Sequence, residues 1–235
     1  MNKLLPLALM AWVAIGSASA AQRKALKEVD VDQMTTDTQK TAKGASDQHM
    51  ALTWWIPKEY WESVFSRDPT LGAAEKREMI RLLSTTSLLA VVQADVTNFG
   101  AFKFYAKEEV EKNMRIVFTD PSGAKRRLAP IQTIDPELKV VLGIFKPILA
   151  NAMGNMGQNM HFFVLNDRAG FSGRLMDPYR KGSISIDLAQ RDKRLINATI
   201  PLPLNCLFIP RKCPNGKDAH ISWKFCPWTG KRLEE

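Results

Sequence analysis

Ser183-Ile184-Ser185-Ile186-Asp187-Leu188 carries an apolar side chain at every second position. A period of two belongs to a strand with one face on a core and the other in water. Ile196, Ala198 and Ile200 repeat the pattern. Working outward, Met114, Ile116 and Phe118 alternate with Arg115, Val117 and Thr119. Asp120-Pro121-Ser122-Gly123 then spells a turn, and residues 124–134 return as the second arm of a hairpin. Phe102 and Phe104 alternate in the same way. Residues 88–92 (Leu-Leu-Ala-Val-Val) and 160–165 (Met-His-Phe-Phe-Val-Leu) are continuous apolar runs, as a buried strand requires. Residues 52–56 form another strand, stopped by Pro57. Strands outnumber helices, and the long parallel strand–helix–strand period is missing. The expected fold class is α+β, a mostly antiparallel sheet with two to three helices.

The helices show a different period. Pro57 suits a first helical turn, after which Tyr60, Trp61, Val64 and Phe65 share one face. A second helix covers 72–84, with Met79, Ile80, Leu82 and Leu83. Pro136 opens the third, where Leu138, Val141, Leu142, Phe145, Leu149 and Ala152 follow helical spacing. Val140, Ile144 and Ile148 fill a second face, so this helix is expected to be largely buried, with Pro147 kinking or splitting it.

The N-terminus reads as a secretory signal peptide over 1–20. Lys3 supplies the positive start, residues 4–15 are apolar, and Ala18-Ser19-Ala20 fits the small-residue cleavage rule. The run is too short for a membrane anchor, which takes about 20 apolar residues. Removing 1–20 takes away Lys3 and Trp12. Residues 21–48 are polar, with five basic and five acidic side chains, and are expected to form a flexible leader. A globular α+β domain then covers 49–205 and a tail covers 206–235.

The tail reads Cys213-Pro214-Asn215-Gly216-Lys217, then Phe225-Cys226-Pro227-Trp228-Thr229-Gly230-Lys231. It resembles a zinc ribbon, whose two Cys-Pro-x-Cys-Gly knuckles face each other across a small β-hairpin and hold one Zn²⁺. Each knuckle here keeps its first cysteine alone: Gly216 and Thr229 stand at the other two ligand positions. By the resemblance, the first cysteines face each other. Three states follow for them: a Cys213–Cys226 disulfide, zinc completed by Cys206 or His220, or free thiols. A disulfide closing about 14 residues would contribute about 3 kcal/mol in an oxidising compartment. Cys206, in a leucine-rich segment, reads as a buried inert thiol. The block Met156-Gly157-Gln158-Asn159-Met160-His161-Phe162-Phe163, followed downstream by this tail, is similar to a group of uncharacterised exported bacterial proteins, which implies export and a two-part layout.

Chemical motifs are sparse. Gly170-Phe171-Ser172-Gly173-Arg174 departs from the hydrolase elbow at its last position. Phosphate-loop, dinucleotide and His-x-x-x-His patterns are missing. His161, in an apolar strand, is the candidate general base, with a core histidine as the competing reading. Trp54, Trp55 and Trp61 are candidates for a ligand-stacking platform, against a core role on patterned faces. Lysine plus arginine is 33 and aspartate plus glutamate 24, a formal charge of +9. The two clusters, Lys125-Arg126-Arg127 and Arg191-Asp192-Lys193-Arg194, form no dense aromatic-interleaved stripe. No nucleic-acid partner is expected, and the surplus suits an anionic envelope component. With 45% hydrophobic residues, three cysteines, 13 Gly and 13 Pro, disordered, disulfide-framework and collagen-like classes are excluded.

The resulting expectation is a periplasmic or secreted, non-enzymatic envelope protein, binding or structural, with no transmembrane segment after cleavage. Its tail would be a stabilising cap or docking module, and zinc its one candidate cofactor. One alternative is a protein that holds a lipid or other hydrophobic ligand against helix 136–153 and Met153, Met156 and Met160. The other is an enzyme centred on His161.

Overall fold

The computed structural model describes residues 21–42, 48–84, 86–151, 153–169 and 173–233. The signal-peptide expectation (1–20) and most of the elbow-like text (170–172) lie outside them. The first elements are α1 (Val31–Thr38), β1 (Gln39–Thr41), β2 (His49–Ile56), α2 (Lys58–Arg67), α3 (Ala73–Leu83), β3 (Thr86–Val96) and β4 (Phe102–Phe104). There follow α4 (Lys107–Asn113), β5 (Met114–Thr119), β6 (Lys125–Leu128), α5 (Pro136–Asn151), α6 (Gly154–Gln158) and β7 (His161–Asn166). The chain continues through β8 (Arg168–Ala169), β9 (Gly173–Arg174), β10 (Gly182–Ala189), β11 (Leu195–Leu202), β12 (Arg211–Lys212) and β13 (Asp218–Ala219).

Every strand pair in these sheets is antiparallel, and the class is α+β. A five-stranded sheet runs β1-β2-β3-β4, with β7 also paired to β3; a four-stranded sheet runs β11-β10-β5-β6. The alternation in β10 and β11 sets the second sheet's inner face. Ile116, Ile186 and Ala198 form one cross-strand row, and Met114, Leu188 and Ile196 another. These rows pack against Trp55, Leu89, Val91, Phe163 and Leu165 from one face of the five-stranded sheet. The other face of that sheet presents Trp54, Leu88, Ala90, Val92, Phe162 and Val164 to Trp61 and Phe65 of α2, Leu83 of α3, and Leu138, Leu142 and Leu149 of α5. The layers are therefore helices, five strands, four strands. Strand β3 is buried on both faces, which explains its continuous apolar run.

Six α-helices occur among the described residues, where two to three were expected. The extra ones are short and polar, and tertiary contacts hold them. The flexible leader expected over 21–48 is corrected over 21–42: Val29 and Met34 are fully buried in the inter-sheet core. Asp30 caps α1 by accepting from the Asp32 and Gln33 N–H groups, and the Ser63 hydroxyl donates to the Val29 carbonyl. Two buried apolar side chains in a polar stretch leave no sequence period. Helix α4 likewise buries only Val110, with Glu109 accepting from the Ala106 N–H at 3.1 Å.

Helix α5 runs through Pro147 to Asn151. Its expected second buried face is corrected: Val140 is 65%, Ile144 53% and Ile148 59% exposed. The helix lies on one sheet face, so only one of its apolar sides finds a partner. Helix α6 folds back closely enough that a Cβ on Gly157 would stand 1.6 Å from the Ala150 carbonyl oxygen, so glycine is required there.

One buried ion cluster ties the layers together. Arg174 donates to Glu59 of α2 at 2.5 Å and to Asp167 at 3.3 Å; Asp167 also accepts from the Ser87 hydroxyl at 2.8 Å and the Met176 N–H at 2.6 Å. Burial pushes the Asp167 carboxyl above its ordinary value despite these donors.

Two stability outcomes follow. Arg174→Met strands two buried carboxylates and is expected to cost about 3–5 kcal/mol in denaturant unfolding. Met34→Ala is expected to cost about 2–5 kcal/mol, whereas a flexible leader would show almost no change.

Candidate functional site

The residues singled out from the sequence in the main domain do not converge. His161 is half-buried and donates from Nε2 to the Tyr105 carbonyl at 2.7 Å. This contact orients the ring and ties β7 to the segment after β4. Trp54, Trp55 and Trp61 are all buried. Trp55 lies in the inter-sheet core, while Trp54 and Trp61 lie on the helical side, Trp61 packed 4.8 Å from Phe145. They form core rather than an open platform. His49, with Nδ1 2.9 Å from Asp95, sits in a network in which Tyr105 and Arg191 also donate to Asp95. Arg191 bonds Glu109 as well, and Arg194 pairs with Asp192, so the 191–194 cluster is largely neutralised. Residues 125–127 are exposed on β6, an edge strand, where charge discourages pairing with another chain.

The tail brings together what remains. Two matching turns fold it: Cys213 N–H donates to Lys217 O with Gly216 N–H returning to Cys213 O, and Cys226 N–H donates to Lys231 O with Gly230 N–H returning to Cys226 O. Gly216 (φ 80°) and Gly230 (φ 68°) take the left-handed backbone that these turns need. The ribbon hairpin expected here is reduced to the two-residue strands β12 and β13 and a single Phe225–Arg232 bridge. Inside, Cys213, Ala219, Cys226 and Leu233 form a separate small core.

The two thiols of that core lie together and act on each other's titration. Burial pushes Cys213 up to about 11, with the bond to Cys226 adding to the rise. Burial also acts on Cys226, but bonds from Cys213, Thr229 and the Trp228 and Thr229 N–H groups outweigh it and bring that thiol down to about 7. The other two metal candidates do not join the pair. Cys206 is buried in the main core, its thiol pushed up by burial and then by Asp37. His220 bonds the Ser222 hydroxyl at 2.8 Å. Among the described residues no three His, Cys, Asp or Glu side chains gather as a metal would need.

Between tail and body lies a groove of about 650 Å³. Tyr179 and Phe208, packed edge to face at 5.8 Å, form its floor on the body side. Trp223, Phe225 and Leu233 form the tail side, and Lys181, Lys224, Arg211 and Arg232 supply positive charge. Among the described residues none of those lining it is acidic. Arg211 also fastens the wall, donating to the carbonyls of His220 (3.2 Å), Ile221 (3.1 Å) and Trp223 (2.6 Å). The N-terminal segment closes one end: Lys24 N–H donates to Leu207 O, Ile209 N–H donates to Gln22 O, and Arg23 stacks 4.1 Å above the Tyr179 ring. Ala21 thereby lies on the groove wall. The sequence reading missed this site because its parts lie at 21–24, 179–181, 203–211 and 221–233. The paired Trp and Lys residues of the tail were its one visible sign.

A scan of protein-family models found no match to the chain, and searches of curated proteins and of solved structures found none either.

The thiol pair gives a direct outcome. In the reduced protein under limiting iodoacetamide, Cys226 is expected to be alkylated before Cys213 as the small tail core opens locally, at a rate that rises as pH passes through about 7, because the thiolate is the nucleophile. Cys206 is expected to react only after unfolding. Peptide mass spectrometry across a pH series reads all three.

Proposed function

We propose that this is an exported, non-enzymatic envelope protein that binds an anionic amphiphile, an acidic headgroup on an apolar body, in the groove between its tail and its main domain. The observation that carries the reading is the groove's lining, cations beside aromatic rings with no carboxylate among the described lining residues. Cations recognise a phosphate or carboxylate by charge-assisted hydrogen bonds, and aromatic walls accept the apolar part.

Export and binding meet at one residue. Cleavage after Ala20, as the Ala18-Ser19-Ala20 sequence prescribes, makes Ala21 the first residue, and its new ammonium group adds a cation to the groove wall. In this reading the thiol pair stiffens the wall that carries Lys224, Phe225 and Arg232. In an oxidising compartment Cys213 and Cys226 lose two protons and two electrons to an exchanging disulfide of another molecule and become joined.

Calorimetric titration with octyl phosphate, and with octyltrimethylammonium as the charge-reversed control, tests the groove. The anionic amphiphile is expected to bind and the cationic one not to. Lys224→Ala/Arg232→Ala is expected to weaken binding by at least about tenfold, since each charge-assisted bond contributes about 1.5–3 kcal/mol. Equal binding of both amphiphiles, or none, overturns the assignment. Thiol counting on the exported protein is expected to find one free thiol, Cys206.

A further inference from the structure

The tail's cysteine pair sits at the root of the groove wall. Leu233 packs with Cys213, Ala219 and Cys226 in the tail core and also lines the groove. The wall closes around that core: Phe225, which precedes Cys226, bridges Arg232, and the Leu233 N–H donates to the Lys224 carbonyl at 2.9 Å. On the other turn, Cys213 lies two residues beyond Arg211, whose guanidinium holds the carbonyls of His220, Ile221 and Trp223. Trp223, Lys224, Phe225, Arg232 and Leu233 therefore depend for their places on the two cysteine turns staying together. Apolar burial alone holds those turns weakly, because the core is four side chains and two of them are the cysteines.

We infer that the Cys213–Cys226 pair is a reversible redox gate on the groove, which holds its ligand when the two sulfurs are joined and weakens when a dithiol reduces them. The inference rests on the groove reading proposed above. The step is an exchange that balances: the joined sulfurs take two electrons and two protons from the dithiol, which leaves as a disulfide, and the pair becomes two thiols. Reduction removes the link between the turns, so the wall opens locally and the fraction of chains with a formed groove falls; apparent affinity falls with that fraction. The surroundings of Cys226 make the bond reducible rather than permanent. The Thr229 hydroxyl and the Trp228 and Thr229 N–H groups favour its thiolate. A disulfide whose reduced form is stabilised is the more easily reduced, and the sulfur with the better-stabilised thiolate is the better leaving group. An incoming thiolate therefore attacks Cys213 and expels Cys226. Cys206, buried in the main core, stands apart from the exchange. Cys213 and Cys226 are 3% and 1% exposed, so attack needs the wall to open, and a bound ligand that holds the wall opposes it. By linkage the gate works in both directions: reduction weakens the ligand's hold, and the ligand resists reduction.

Titration of the processed full-length chain with octyl phosphate, oxidised and then reduced by dithiothreitol, tests the gate. The reduced protein is expected to bind about tenfold more weakly and to recover on reoxidation. Cys213→Ala/Cys226→Ala is expected to bind at the reduced level with or without dithiothreitol. A redox titration in dithiothreitol buffers, with thiols counted by mass spectrometry, gives a readout that does not depend on how that variant folds. Saturating octyl phosphate is expected to move the midpoint of the pair about 30 mV more negative, the same tenfold read as a potential. Thr229→Val, outside the groove lining, is expected to move the midpoint more negative as well while leaving the oxidised protein's affinity unchanged. Equal binding in both redox states, with a midpoint that ignores the ligand, overturns the gate and leaves the groove reading standing. Binding in neither state overturns the groove reading itself. A pair that dithiothreitol reduces only after global unfolding also overturns the gate, since the bond would then be purely structural.

Discussion

The double burial of one strand, β3, constrains everything else. Leu89 and Val91 point into the inter-sheet core while Leu88, Ala90 and Val92 point to the helices. A strand apolar on both faces needs cover on both. The four-stranded sheet supplies one cover and α2, α3 and α5 the other. Its neighbours inherit the division: Trp55 and Phe163 flank Leu89 on one face, and Trp54 and Phe162 flank Ala90 on the other. The Arg174 cluster then fixes how α2 and the strand-end loops meet, since two buried carboxylates can be satisfied only where that guanidinium sits.

The tail lies outside this hierarchy. Its core of Cys213, Ala219, Cys226 and Leu233 is too small to be stable by apolar burial alone, which is why the state of the cysteine pair matters for its rigidity. Hydrogen bonds seat the tail on the body, the Ile221 N–H donating to Asn205 Oδ1 on one side and the 22–24 segment bonding Leu207 and Ile209 on the other. The by-product is a concave seam lined by residues from four separate stretches. A cap needed only for stability would be expected to close that seam with apolar side chains; here cations line it instead.

How much of this was legible depended on whether the signal was local. The alternation of β10 and β11, the run of β3 and the turn at Asp120 depend on neighbours in sequence, and the α+β antiparallel class followed from them. Helices α1 and α4 did not, because Met34 and Val110 each carry their helix alone, and a single buried side chain makes no period. Val140, Ile144 and Ile148 misled for the opposite reason: periodicity records that a face is apolar and not what covers it. The tryptophans carry two readings in the sequence, platform and core, and their burial in patterned strand and helix places them in the core. Beyond the Trp and Lys residues of the tail the groove left no local signal, since Tyr179, Phe208 and Lys181 become neighbours of Trp223 only through the fold.

The central claim is that the seam between tail and body receives an anionic amphiphile, and the indole resonances of the tryptophans test it most directly. Trp223 lines the groove, whereas Trp54 and Trp55 are enclosed on the two sides of the five-stranded sheet. On titration with octyl phosphate in a two-dimensional ¹H–¹⁵N spectrum, the Trp223 indole signal is expected to move progressively to saturation while those of Trp54 and Trp55 stay in place. Movement of Trp54 and Trp55 with Trp223 unchanged would contradict the account and return the ligand to the core tryptophans.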